Sequence, residues 1–146
     1  MIILDLRGGL GNQMFQFAYA YNLSKRYNNE KIFWSTFYQR REPVNRGICL
    51  KKLMCDGQFI VLPILVDNVL SLFLKLKKEI LKKIIGKDRV SLRSMAKHGM
   101  YVTDEIYRYQ GYPSSKKWIK NIDGYFQSVK YFGRYADELR GSLLPK

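Results

Sequence analysis

The chain has 146 residues, 26 of them Lys or Arg against 12 Asp or Glu, with a single His and a formal net charge of +14. With 47% hydrophobic residues, eleven glycines, four prolines and two cysteines, it is neither disordered nor collagen-like, and it cannot be a disulfide scaffold. The length fits one domain that buries about two-thirds of the surface its unfolded chain exposes.

The opening Met1-Ile2-Ile3-Leu4-Asp5-Leu6-Arg7 is too short an apolar run for a secretory signal, and no cationic segment precedes it. The longest apolar stretch, residues 59 to 74, is interrupted by Pro63, Asp67 and Asn68 and falls short of the roughly 20 residues of a spanning helix. A cytoplasmic protein is expected, with Cys49 and Cys55 as reduced, small buried side chains.

Residues 2 to 6 read as a strand, and Arg7-Gly8-Gly9-Leu10-Gly11 follows as a breaker cluster. Apolar positions 14, 17, 18 and 21 then have helical spacing, in a segment opened by Asn12 or Gln13 and stopped by Asn28-Asn29. Residues 31 to 34 form a second strand. Strand, glycine loop, helix and strand together open a parallel sheet. The expected fold class is therefore α/β, a Rossmann-like parallel-sheet domain over residues 1–146.

Arg40-Arg41-Glu42-Pro43 reads as a loop and Leu50-Lys51-Lys52-Leu53 as a short helical turn. From Ile64, apolar positions 66, 69, 70, 73, 76, 80 and 84 predict a helix to Ile85, with Gly86 as its stop. Between Lys75 and Lys97, nine basic residues face only Glu79 and Asp88, a net +7 that is half the charge of the chain. Residues 121 to 126 read as a further strand, with Ser128 as the N-cap of a last helix reaching about Leu139.

The basic helix has two readings. Its apolar stripe packs on the core beneath a wet lysine face, or it rests on an anionic membrane while Lys75, Lys77, Lys78, Lys82 and Lys83 meet lipid headgroups. A nucleic-acid partner is not expected. The charge is concentrated in one helix and its following loop, and no RNP, KH, zinc or helix-turn-helix signature is present.

Gly9-x-Gly11-x-x-Met14 holds two of the three glycines of a dinucleotide loop, and no acidic residue ends the second strand. The turn remains either an anion site, where backbone N–H groups and a helix dipole meet a phosphate, or simply a tight strand-to-helix connection. Gln127 and Ser128 lie where a strand meets a helix. They are candidates for ligand contact or, equally, a buried glutamine and a helix cap.

Read with its flanks, Gly8-Gly9-Leu10-Gly11-Asn12-Gln13-Met14-Phe15-Gln16-Phe17-Ala18 resembles the opening signature of the family 11 glycosyltransferases, the α-1,2-fucosyltransferases. Gly124-Tyr125-Phe126-Gln127-Ser128-Val129-Lys130-Tyr131-Phe132 resembles a later block of the same family, and residues 46 to 53 resemble it loosely in between. The resemblance implies the N-terminal domain of a GT-B glycosyltransferase. It also implies transfer of L-fucose from GDP-fucose to the 2-hydroxyl of a galactose-containing glycan, with inversion and without a metal; no Asp-x-Asp is present. By the same likeness Gly8, Gly9, Leu10, Gly11 and Asn12 contact the donor, while Gln13 and Gln16 either join them or bond back to the loop.

The family's His-x-Arg-Arg-x-Asp motif, whose arginine meets the departing diphosphate, has no counterpart: the single histidine precedes Gly99, and Arg40-Arg41 lacks the flanking His and Asp. The expectation is an N-terminal half whose donor-binding partner domain is missing, inactive alone and without an assignable catalytic residue. Asp5 and Asp123 are the nearest candidates for a base. Asp104-Glu105, Asp137-Glu138 and His98 read as solvated surface groups.

Overall fold

Ile2–Asp5 forms strand β1, and all four of its side chains are buried, as a strand covered on both faces requires. In this computed structural model, residues 1–43, 47–53, 59–103 and 107–145 are described. Arg46, Cys55 and the Asp104-Glu105 pair lie outside them. β1 is the middle of a five-stranded, all-parallel sheet with β2 (Ile32–Ser35), β3 (Phe59–Val61), β4 (Met100–Val102) and β5 (Lys120–Asp123), in the order β3-β2-β1-β5-β4. Ile2 is registered against Ile32 on one side and Lys120 on the other. Lys120 is buried in β5, with its ammonium on Glu30 at 2.7 Å and over the Tyr27 ring at 4.1 Å.

Alternate strand residues feed two cores, because successive side chains point to opposite faces. On the larger side, Ile2, Leu4 and Ile122 meet Phe17, Tyr19, Ala20 and Leu23 of helix α1 (Leu10–Arg26). Leu139 of the C-terminal helix joins them. On the other side, Ile3, Met100 and Val102 meet Leu74 of α2 (Ile64–Ile85) and Met95 of α3 (Leu92–Ala96). The parallel α/β expectation holds, and the helix over residues 64 to 85 lies where its spacing placed it.

Several details differ. β1 ends at Asp5, and α1 begins at Leu10, because extended Gly9 is its N-cap. Gly11 sits in the first helical turn, where N–H groups have no intrahelical partner in any case. β5 ends at Asp123. The last helix is broken: the 3-10 turns Val129–Tyr131 and Gly133–Tyr135 precede α4 (Ala136–Ser142), with Gly133 at φ +44° between them. The Ser128 side chain makes no cap. Cys49 is half-buried, not enclosed.

The largest departure is the orientation of α2. Its buried residues are Asp67, Ser71 and Leu74, and its apolar stripe faces outward. Asp67 accepts hydrogen bonds from the Thr36 backbone N–H at 3.0 Å, from the Arg40 guanidinium at 2.9 Å and from Ser71 at 3.1 Å. Ser71 also bonds Ser35, at the end of β2, at 3.1 Å. A core-facing apolar stripe is thus replaced by a polar seam.

Two glycines with left-handed backbones test the packing. At Gly99 (φ +80°) a Cβ would run into the Ile119 carbonyl oxygen, whereas at Gly86 (φ +85°) it would meet open space. Gly99→Ala should cost about 2–3 kcal/mol of stability and Gly86→Ala about 1 kcal/mol, read from urea unfolding midpoints; equal costs would contradict this packing at Gly99.

Candidate functional site

Chain connectivity creates a crevice. β1 leads through α1, over one face of the sheet, to β2, and β3 leads through α2, over the other face, to the strands beyond β1. The connections therefore part at the carboxyl ends of β1 and β5, the place where open parallel sheets bind ligands. Arg7, the glycine turn, Asp123 and the Gly124–Gln127 segment all converge there.

Gly8 has φ +69°, where an L side chain is strained, and a Cβ on it would displace the Asn12 side chain. Gln13 donates to the Gly8 carbonyl at 2.9 Å and to Gly47 at 3.0 Å, and accepts from Cys49 N–H at 2.9 Å. Gln16 closes both backbone groups of Arg7, at 3.1 and 3.2 Å. Both glutamines thus bond back to the loop. The Gly8 N–H itself is taken by the Glu42 carboxylate at 3.1 Å. Beyond it, Leu10 and Gly11 are exposed at the start of α1.

Asn12 and Gln127, 115 residues apart in sequence, are hydrogen-bonded to each other through their side-chain amides. Gln127 reaches Asn12 because Phe126 turns the chain with a left-handed backbone (φ +52°) while its ring stacks on Tyr19 at 3.8 Å. A non-glycine residue in that conformation costs about 1–2 kcal/mol, which the buried aromatic stack around Tyr19, Tyr112 and Tyr131 offsets. All six expected contact residues, Gly8, Gly9, Leu10, Gly11, Asn12 and Gln127, thus surround one sheet edge.

The charged part of the crevice was not apparent from motifs. Asp123 binds Arg7 at 2.5 Å through one oxygen and Lys78 at 2.6 Å through the other, and the Arg7 guanidinium stacks over Tyr38 at 3.9 Å. Lys78 therefore turns inward to the sheet, not toward lipid, and Lys77 donates to the His98 carbonyl at 2.8 Å. Burial pulls the Lys78 ammonium down, but Asp123 outweighs it and leaves the group above its ordinary range. The available signal was the spacing 67, 71, 74, 78, one helix face carrying Asp, Ser, Leu and Lys. Arg7, Lys78, Lys82, Thr103, Asp123 and Tyr125 contribute to a cavity of about 220 Å³, with three basic side chains against one carboxyl group.

Asp5 stands behind this cavity, only 3% exposed. Asn121 donates to its Oδ2 at 2.9 Å, and its Oδ1 has no hydrogen-bond partner among the described residues. Burial first, and the Asp123 charge second, push its pKa up to about 7, against relief from Asn121, Arg7 and Ser35. Neither aspartate meets the needs of a base acting on an acceptor hydroxyl: Asp5 is enclosed, and both Asp123 oxygens are engaged. Asp137 and Glu138 are exposed, with Glu138 holding Tyr21 at 2.5 Å and Lys25 at 3.2 Å. His98 is half-buried. Among the described residues no group of three His, Cys, Asp or Glu side chains comes together as a metal site.

Comparison with protein-family models, curated proteins and solved structures returns no match.

Folded Asp5 keeps its proton up to about pH 7, while the unfolded chain releases it near 3.8. Folding therefore takes up a proton between those values, so Asp5 makes stability fall as pH rises from about 4 to about 7 and then level off. Asp5→Asn should flatten that slope and leave the variant about 1–3 kcal/mol more stable than the native chain at pH 8. Denaturant titrations at several pH values check this; an unchanged slope would remove Asp5 as its source.

Proposed function

We propose that this chain is the N-terminal α/β domain of an α-1,2-fucosyltransferase of GT-B architecture. It contributes to the transfer of L-fucose from GDP-fucose to the 2-hydroxyl of a galactoside, on the cytoplasmic side and against the inner face of the membrane. One observation supports the reading above the others. The two sequence blocks that resemble this family, around Gly8–Ala18 and Gly124–Phe132, come together through the Asn12–Gln127 hydrogen bond at the crevice where a parallel sheet binds nucleotides.

In this reading the exposed first turn of α1, from Leu10 to Asn12, offers N–H groups and the positive end of a helix dipole to the donor diphosphate. Arg7, Lys78 and Lys82 add a positive field at its edge. Asn12 and Gln127 fix the loop and present amide edges to the sugar or the guanine. The acceptor hydroxyl attacks the anomeric carbon on the face opposite the departing GDP, so the configuration inverts as the carbon–oxygen bond to the diphosphate breaks. The arginine that would stabilise that leaving group comes from a His-x-Arg-Arg-x-Asp segment, which these 146 residues do not contain. The isolated chain therefore binds donor but does not turn over.

The outward apolar face of α2 favours a second, compatible reading, a basic module seated on anionic membrane.

Calorimetric titration with GDP in chelator-containing buffer tests the first reading. GDP should bind at least about tenfold more tightly than inorganic phosphate, and Gln127→Ala should weaken it about tenfold, as loss of a positioning hydrogen bond does. GDP binding no stronger than phosphate binding, or indifferent to Gln127→Ala, would refute donor recognition at this crevice.

A further inference from the structure

In the 22-residue helix α2, Leu70, Leu74, Leu81 and Ile85 pack on the second core, but the larger share of its apolar residues turn away from it, and that outward face is the least explained surface of the molecule. Leu65 is 80% exposed, Val69 72%, Leu76 65% and Ile84 75%, with Leu72, Phe73 and Ile80 also exposed. At 100° per residue these side chains fall in one wedge about 120° wide, opposite Asp67, Ser71, Leu74 and Lys78. The wedge runs the whole helix, about 33 Å. Glu79 and then Lys75 follow it on one side and Lys77, whose ammonium holds the His98 carbonyl, on the other, while Lys83 lies within it near the C-terminal end.

We propose that α2 lies in the plane of an anionic lipid bilayer, its apolar wedge among the upper acyl chains and its lysines at the phosphate level. The inference names the element and the lipid chemistry of the peripheral placement proposed above and rests on that placement, not on glycosyl transfer. Charge complementarity selects the occupant. Residues 75 to 97 carry nine cations against two carboxylates, and Lys82, Lys83 and Lys87 gather around a groove at the end of α2. Each cation near such a surface adds about 1 kcal/mol of attraction. A second copy would bring another lysine-bordered ridge from a chain of net charge +14, so like charges would oppose that pairing.

Geometry agrees. The apolar face follows one helix, with a shallow hollow among Leu65, Val66, Val69, Leu70 and Phe73 that acyl chains can fill. Among the described residues no helix is long and apolar enough to cross a membrane, so the helix lies on the bilayer instead of spanning it. Lysine stems at the borders can run along the apolar region and keep their ammonium groups in the headgroup layer. Lys78 reaches Asp123 from the opposite face of the same helix, so the crevice lies across α2 from the bound surface.

The full chain should be tested by co-flotation with vesicles of phosphatidylcholine alone and of phosphatidylcholine with about one-third phosphatidylglycerol, in about 0.1 M and about 0.5 M salt. Binding should favour the anionic vesicles at least tenfold, fall with salt, and leave an apolar remainder. Val69→Asn with Leu76→Gln changes only exposed positions and should remove that remainder. Lys75→Glu with Lys83→Glu, both outside the crevice, should remove the preference for anionic lipid. Equal binding to both vesicle types, or vesicle binding unmoved by the Val69/Leu76 pair, would overturn the proposal. So would a dimer dispersed by that pair, or binding to an oligonucleotide with none to vesicles. GDP titration of the same variants reads the crevice separately, so donor binding and lipid binding fail independently.

Discussion

Helix α2 is attached to the sheet by carboxylates, and much of the molecule follows from that. Asp67 holds Ser71, Thr36 and Arg40 at the end of β2, and eleven residues later Lys78 reaches Asp123 at the end of β5. Among the described residues the second core contains six fully buried apolar side chains, one of them from α2, with Leu70, Leu81 and Ile85 of α2 packed at its margin. Its dispersion and hydrophobic gains are therefore modest, and satisfying a fully buried Asp67 decides how the helix rotates. A buried ion pair adds little net stability, but leaving one partner unpaired costs about 3–5 kcal/mol. Rotating α2 to bury its leucines would give up the contacts of Asp67 with Thr36 and Arg40 and of Lys78 with Asp123, while Asp123 would keep Arg7.

This also explains what could be read from residues alone. The order of strand, glycine turn, helix and strand was legible because β1 is continuously apolar and α1 carries helical spacing at 14, 17, 18 and 21. β3 and β4 have three residues each, too short for periodicity to separate them from loops. The rotation of α2 was left between two readings for a specific reason: hydrophobic spacing shows that a helix has two faces, but not which one the sheet receives. That depended on Asp67 and Lys78 finding Arg40 and Asp123, contacts spanning 27 and 45 residues. The site residues divided similarly. The glycine turn, Asn12 and Gln127 belonged to visible sequence blocks, whereas Arg7, Tyr38 and Lys78 became visible only in three dimensions.

The crevice depends on two backbone irregularities that face each other. Gly8 supplies a left-handed turn at no steric cost, and Phe126 adopts the same region at a cost that its stack on Tyr19 offsets. The Asn12–Gln127 bond joins the two turns, so the larger core and the crevice share a wall. Shifting the tyrosine cluster would move Gln127, and packing far from the glycines therefore sets the geometry at the loop.

The carboxylate of Glu42 on the Gly8 N–H gives the glycine turn a counter-ion of its own. Because it is tethered, its local concentration is far above that of any small anion in solution, on the order of millimolar or more. A free chloride or phosphate, gripping by one or two contacts, competes poorly against such a resident. In the donor-binding reading proposed above, an anion that also engages Arg7, Lys82 or the Asn12–Gln127 amides gains contacts that Glu42 does not have and displaces it. On that reading the resident carboxylate favours extended ligands over small inorganic ions.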